Sequence, residues 1–278
     1  MSDRVTTVVI TRDRKAALLE TLTRHSGSVV VVDNGSTDGT AEALATASMP
    51  HVRTVRLDRN HGAPARNLGV ALSTTPYVAF ADDDSWWEPG MLRRAVAILD
   101  RWPRIGLLAA RILLDDGGRE DPVCALMADS PLPARPDLPG RPVLGFVACA
   151  SVVRREAFLL AGGFDHVVFF AGEEARLSID LAAGGWDQCY VPELVARHEP
   201  SPRRSADRVR QRLISRNIVL TAVMRRSWPT VLRLALEQCR RGPGAWRGVV
   251  SAVPRLPMAM VNRKRVGPDL EARLRLID

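Results

Sequence analysis

The sequence predicts an α/β domain on a mostly parallel sheet with helices on both faces, followed by a basic helical extension. Three observations predict it. Short β-branched runs alternate with helical stretches over the first hundred residues, the pattern of βαβ units. Each apolar run ends in a polar turn, and open α/β sheets bind ligands at the carboxyl ends of their strands. Charge is also split unevenly: residues 1–199 carry 21 basic and 26 acidic side chains, and residues 200–278 carry 18 and 5. The expected division is therefore a domain over residues 1–200 and an extension over residues 201–278.

Strands are predicted at Val5 to Ile10, Val29 to Val32, Val52 to Leu57 and Tyr77 to Phe80, where valine and its neighbours form short continuous runs. Between them, Arg14 to Arg24 places leucines at 18, 19 and 22 on a helix, Thr37 to Ala47 opens with small polar capping residues, and Ala63 to Leu72 starts beside Pro64. A further strand is predicted at Ile105 to Leu113. Asp115 to Pro142 is rich in Pro, Gly and Asp and reads as a long surface loop or lid. An apolar run from Val143 to Val153, a short helix from Arg155, the turn Gly162-Gly163-Phe164-Asp165, a helix through Glu174 to Ala183 and a strand near Gln188 to Val191 follow. Pro200 and Pro202 mark the boundary, and Asp207 to Arg226 reads as a long helix.

Of the 278 residues, 46% are hydrophobic and 25% charged, which excludes wholesale disorder and fibrous repeats. Cys124, Cys149, Cys189 and Cys239 form no CxxC pair, so neither a zinc site nor a redox dithiol is indicated. No apolar run approaches the length of a membrane span, and the N-terminus lacks a signal-like stretch. A cytoplasmic protein is expected, with the inner face of the membrane as one place of work.

Chemistry concentrates at the strand ends. Tyr77 to Ala81 runs into Asp82-Asp83-Asp84, and three carboxylates at the end of a buried strand repel one another unless a cation or hydrogen-bond donors offset them. Asp82 and Asp84 share a face if the chain stays extended, which suits oxygen ligation of Mg²⁺ or Mn²⁺. A solvated acidic turn is the alternative. Asp33-Asn34-Gly35-Ser36-Thr37-Asp38-Gly39-Thr40 follows the second strand: Asp33 can accept from a base or ribose, while Ser36, Thr37 and Asp38 can cap the next helix. Asn60 to Asn67 permits close backbone approach beside a helix N-terminus, which favours anions. Neither GxGxxG nor GxxxxGK[ST] occurs, which disfavours a dinucleotide site and a P-loop hydrolase. Glu173 and Glu174 open a helix, where the dipole favours acids with or without a catalytic role.

Together these strings resemble the family 2 glycosyltransferases, whose members have the GT-A fold, a Rossmann-like mixed sheet flanked by helices. The resemblance rests on TRDR after the first strand, DNGSTDGT at 33–40, NHGAPARNLG at 60–69, FADDD at 80–84, GGFD at 162–165, GEE at 172–174 and His198, in the expected order over about 200 residues. It implies an inverting transfer from a nucleotide-diphosphate sugar, UDP- or dTDP-linked, to a hydroxyl of a glycan, a lipid-linked acceptor or a small molecule. Thr11, Arg12, Asp33 and Asn34 then surround the nucleoside, with Asp33 on the base. Arg66, Asp82 and Asp83 belong to the ribose and diphosphate side. Asp84, with Asp82 and His198, would hold Mg²⁺ or Mn²⁺. The family's acidic pair is usually Glu-Asp and its second member the general base. Glu174 takes that place here, with Glu173 a second candidate. Trp86, Trp87 and Phe146 are candidate stacking surfaces for a sugar.

In the extension, arginines from Arg203 to Arg226 interleave with Val209, Leu213, Ile214, Ile218 and Leu220 at helical spacing. Either the helix docks on the catalytic domain with a solvated basic face, or it and Val249 to Arg265 lie on an anionic membrane. No nucleic-acid motif accompanies the charge. Two rivals remain: a noncatalytic nucleotide-sugar-binding protein on the same fold, and a sugar-1-phosphate nucleotidyltransferase, which TRDRKAALLE does not suit.

Overall fold

The computed structural model describes residues 4–114, 117–200 and 207–278. Strands β1 (Val5–Thr11), β2 (Ser28–Asp33), β3 (Val52–Arg56) and β4 (Tyr77–Asp82) run parallel in the order β3-β2-β1-β4, joined by helices α1 (Lys15–Leu22), α2 (Thr40–Thr46) and α3 (Ala65–Leu72). β1, β2 and β4 are buried almost throughout, as their unbroken apolar runs require of a sheet covered on both faces. Register brings their ends level: Thr11 pairs with Asp33, and Ile10 with Asp82. Three ligand-competent turns thereby share one edge of the sheet.

The chain continues through β5 (Ser85–Trp87), α4 (Met91–Arg101), β6 (Ile105–Leu113), α5 (Val123–Ala128), β7 (Arg141–Pro142), β8 (Ser151–Arg154), α6 (Arg155–Leu160), α7 (Glu173–Ala183) and β9 (Asp187–His198). β8 lies antiparallel between β4 and β6, and β9 runs parallel to β6 before pairing antiparallel with β5. The result is a nine-stranded mixed sheet in the order β3-β2-β1-β4-β8-β6-β9-β5, with β7 on β9. It is the flanked mixed sheet expected of a GT-A domain. Under the ligand edge, Phe80, Phe158 and Phe164 meet with ring centroids 5.6–5.7 Å apart.

Three expectations change. The last strand does not stop at Val191. Pairing with β6 jumps from Ala110–Val191 to Arg111–Val195, so Pro192, Glu193 and Leu194 bulge out and the strand resumes to His198. Residues 117–142 are not a bare loop: α5 buries Cys124 and Met127, and Leu132 is also buried, while Asp115 and Asp116 lie outside the described residues. Six residues of helix are too few to show a period. Finally, Trp86, Trp87 and Phe146 are core residues, 5–7% exposed; Trp87 Nε1 donates to the Phe80 carbonyl and Arg24 stacks on Trp86. None of the three lines the cleft at the strand ends.

The extension comprises α8 (Asp207–Arg225), α9 (Trp228–Arg240), α10 (Pro243–Ala252), α11 (Leu256–Val261) and α12 (Pro268–Ile277). α8 is its inner helix: apart from half-buried Ile218, every residue from Ser215 to Arg226 is buried. Ile218 and Leu220 pack in one cluster with Val231 and Leu234 of α9, Ala252 of α10 and Ala259 of α11, so that half of α8 faces protein, whereas Val209 is 52% exposed. Arg203 and Arg204 lie outside the described residues. Arg225 Nε donates to Asp180 Oδ1 at 2.6 Å, and Leu270 and Leu274 of α12 pack with Leu132, Leu144 and Ile179, so the extension is docked on the sheet-bearing part. Among the described residues no helix is long and apolar enough to cross a membrane.

Candidate active site

The level ends of β1 and β4, the start of α3, the start of α7 and the end of β9 enclose one cleft of about 440 Å³. It gathers Thr11, Arg12, Asn34, Arg66, Asp82, Asp83, Asp84, Glu173, Glu174 and His198. Of the residues singled out from sequence, Asp33 and the three aromatics Trp86, Trp87 and Phe146 are absent from its wall. Asp33 sits behind Asn34, 1% exposed, with Oδ1 accepting from Ser36 N at 2.9 Å and the buried Oδ2 lacking a hydrogen-bond partner.

The first turns are tied together before any ligand arrives. Asp13, in the left-handed region at φ 52°, accepts from Thr37 N at 2.7 Å, and Asp38 accepts from Thr40 N at 3.1 Å and from Lys15 N at 3.0 Å. Asn34 Nδ2 donates to Asn60 Oδ1 and to the Gly62 carbonyl, both at 3.1 Å, and its Oδ1 accepts from His61 N at 2.7 Å. These bonds hold the 60–67 turn against β2. Gly62 is required there: at φ 67° its Cβ would lie 2.4 Å from the Phe169 carbonyl oxygen, which itself accepts from Ala63 N at 2.7 Å.

Two arginines answer the three aspartates. Arg14 reaches Asp83 Oδ1 at 2.9 Å and Asp84 Oδ2 at 3.0 Å, and Thr11 Oγ1 donates to Asp83 Oδ2 at 2.9 Å. Burial still pushes the Asp83 carboxyl up to about 7; Arg14 opposes the shift, and the Asp84 and Asp82 charges add to it. Arg66, 4% exposed in its side chain, ion-pairs with Asp82 and stands 3.8 Å from Glu173 Oε1. One buried guanidinium therefore joins the aspartate at the end of β4 to the acidic pair.

That pair is asymmetric. Glu173 is 4% exposed and its Oε2 has no hydrogen-bond partner, whereas Glu174 is half-buried and its Oε1 accepts from Ala148 N at 3.4 Å. Burial raises both carboxyls; the Glu174 charge raises Glu173 further, and Arg66 pulls both down. For Cys149, also on the wall, burial and the surrounding carboxylates raise the thiol pKa, against the pull of Arg66.

Backbone pairing of Ser85 with His198 sets His198 Nε2 3.3 Å from Asp84 Oδ1, and Glu199 N donates to the Asp84 carbonyl at 2.8 Å. Asp82 does not join them in a three-ligand set, because Arg66 holds it; among the described residues no three His, Cys, Asp or Glu side chains are grouped to hold a metal. Asp84, whose Oδ2 also takes Arg14 at 3.0 Å, and His198 are the residues that would hold a Mg²⁺ or Mn²⁺ ion, with its remaining ligands from substrate oxygens.

Sequence reasoning missed several wall residues. Arg14 lies in the same turn as Arg12, and nothing in TRDR says which arginine turns inward. Phe169 and Phe170 are the aromatics that line the cleft, and Ala148, Cys149 and Arg210 join it from distant elements. Phe169 and Ala171 hold positive φ, 67° and 69°, an uncommon backbone for side-chain-bearing residues that marks the 167–172 segment as held in place by its surroundings.

Comparison with known proteins gives the family and the fold. The sequence model described as "Glycosyl transferase family 2" matches residues 6–159. The chain is 29% identical to N-acetylglucosaminyl-diphospho-decaprenol L-rhamnosyltransferase of Mycobacterium tuberculosis over 70% of this chain and 74% of that protein. In fold it resembles a mannosyltransferase from Pyrobaculum calidifontis solved with GDP-Man and Mn²⁺, at TM-score 0.64 and 20% identity over 93% of this chain and 73% of that one. It also resembles residues 1–349 of Staphylococcus aureus TarS in complex with UDP-GlcNAc, at TM-score 0.59 and 16% identity over 92% and 79% of the two chains. With a matching model over more than half its length and the acidic strand end and acidic pair in one cleft, this chain belongs to glycosyl transferase family 2.

Proposed function

We propose that the protein is an inverting glycosyltransferase that moves a sugar from a UDP- or dTDP-linked donor to a hydroxyl of a lipid-linked glycan acceptor. The observation that carries this reading is the bridge of Arg66 between Asp82 and Glu173, which puts a diphosphate-side carboxylate and the acidic pair in one cleft. The acceptor class is suggested by the mycobacterial relative, whose name places its sugar on a diphospho-decaprenol carrier.

In this reading Thr11, Arg12 and Asn34 form the nucleoside wall, and Asp33, off that wall with Oδ2 3.8 Å from Arg56 Nε, holds the turn behind it by accepting from Ser36 N. Asp84 and His198 are the residues that would hold a Mg²⁺ or Mn²⁺ ion, which would supply positive charge to offset that of the departing diphosphate. Arg66 and Asp82 orient the ribose and diphosphate. Glu174, facing the cleft, takes the proton of the acceptor hydroxyl as its oxygen bonds to the anomeric carbon opposite the diphosphate, and the sugar–phosphate bond breaks with its electrons on the nucleoside diphosphate. Glu173 is a positioning residue that fixes Arg66. A carboxylate base and a charged leaving group suffice, so no covalent intermediate is needed.

The test is a thermal-shift screen of nucleoside diphosphates and nucleotide sugars with and without Mn²⁺, followed by transfer assays on polyprenyl-diphosphate sugars. A Mn²⁺-dependent rise with UDP or dTDP that Asp84→Ala abolishes supports the reading. No response to any nucleotide overturns it.

A further inference from the structure

The C-terminal helices leave one surface that the catalytic reading does not use. Between α8 and α10 lies an open groove of about 590 Å³, lined by Arg212, Trp246, Arg247, Val250, Ser251, Pro254 and Arg255. Its apolar members belong to a stripe: Trp246, Val250 and Val253 are 52%, 49% and 58% exposed at helical spacing, and Met258 and Val261 continue it at 56% and 86%. Its basic members converge. Arg216, buried behind the groove, is pulled down to about 10 by burial and then by the facing charges of Arg255 and Arg212. Among the described residues Arg212, Arg216, Arg247 and Arg255 have no carboxylate at ion-pair distance, unlike Arg225 and Arg226 of the same helix bundle, which pair with Asp180, Glu271 and Asp278.

Uncompensated cations held together repel, and a structure that keeps them together suits an anion. Their placement follows from backbone bonds: Arg216 donates to the Val168 carbonyl at 3.1 Å and Arg255 to the Val167 carbonyl at 2.7 Å. The same segment continues into Phe169, Phe170, Ala171 and Gly172 of the cleft wall and then into Glu173, and Asn217 Nδ2 caps the Phe170 and Ala171 carbonyls at 2.6 and 2.7 Å. Arg210, two residues before Arg212, lines the cleft itself. Groove and cleft are thus two sides of one loop.

We propose that this groove is a membrane-docking site in which Arg212, Arg247 and Arg255 take the phosphate groups of lipids while Trp246, Val250 and Val253 enter the apolar boundary, presenting the cleft to a lipid-linked acceptor. The proposal rests on the glycosyltransferase reading for its purpose but not for its test. Charge favours an anionic membrane over a protein partner: residues 200–278 carry 18 basic and 5 acidic side chains, and an amphipathic basic face with an exposed tryptophan suits a headgroup layer.

The full chain is sedimented with vesicles of phosphatidylcholine alone, of phosphatidylcholine with phosphatidylglycerol, and of phosphatidylcholine with a polyprenyl phosphate. Binding is expected to the two phosphate-rich mixtures and not to phosphatidylcholine, and to weaken with salt. The exposed double variant Arg212→Gln/Arg247→Gln should bind about thirtyfold more weakly, at roughly fivefold per arginine. Trp246→Ser should also lose binding, and all variants should keep the wild-type melting temperature. Binding that ignores lipid charge, or survives both variants, overturns the proposal. So does a melting-temperature rise with inorganic pyrophosphate that depends on Arg212 while vesicles fail to bind, which would assign the groove to a soluble phosphate compound, and so does self-association through the groove without vesicle binding. Failure of the glycosyltransferase reading shows separately, as absence of any nucleotide-dependent thermal shift in the unmodified protein.

Discussion

Arg66 stands 3.8 Å from Glu173 while also gripping Asp82, so a single buried guanidinium serves both carboxylate groups of the cleft. Arg66→Met leaves a nearly fully buried carboxylate without its cation. The expected cost is about 3 kcal/mol in chemical denaturation at neutral pH, at the lower end for a broken buried pair because Asp82 is one-third exposed. Protonation relieves the isolated acids, so the deficit should shrink as pH falls. A pH-independent deficit would mean that lost packing, not charge, dominates.

Gly62 tests the seam between the 60–67 turn and the 167–172 segment. Gly62→Ala places Cβ 2.4 Å from the Phe169 oxygen and strains a left-handed backbone, whereas Gly90→Ala, at φ 84°, meets nothing within 4 Å. The first should cost about 2–4 kcal/mol and the second about 1 kcal/mol. Gly62→Ala should also slow transfer, since the displaced segment leads into Glu173. Equal melting temperatures for the two variants would show that the Phe169 carbonyl yields freely.

His25 gives a pH signature away from the cleft. It is 7% exposed, and burial, aided by the His51 charge, lowers its pKa from 6.5 to about 4 against a hydrogen bond to Ser85. Between those two values the unfolded chain binds the proton and the folded chain does not, so this group's stabilisation is present above pH 6.5 and is lost as pH falls toward 4. The loss amounts to about 3 kcal/mol at most. Melting temperatures of His25→Gln should fall less steeply than wild type between pH 6.5 and 4.5; parallel curves would show that His25 protonates without penalty.

The parallel half of the fold was legible because β1, β2 and β4 are short apolar runs that end in turn residues, and β6 occupies the predicted Ile105–Leu113. The strand carrying His198 was cut short because Pro192 interrupts its pattern, although the chain bulges and resumes pairing. Strand-end carboxylates announced themselves as a string, Asp82-Asp83-Asp84. Their partners did not: Arg14 and Arg66 are ordinary arginines until the turns fold, and Phe169 and Phe170 lie in a segment with no periodic signal. Trp86 and Trp87 looked like sugar platforms because aromatics suit both tasks, and only burial separates core from cleft. In the extension the arginines of α8 read alike, yet Arg225 and Arg226 are buried in ion pairs whereas Arg212 is open, a distinction made by helix packing alone.

The proposed division of labour between the two glutamates is read out by Glu174→Gln. Nucleotide-sugar binding, measured by titration with Mn²⁺ present, should stay within about twofold of wild type, while single-turnover transfer should fall about 10²–10⁴-fold, the usual contribution of a positioned base. Retention of full transfer by Glu174→Gln would exclude Glu174 as the base and move the proton acceptor to another group of the cleft.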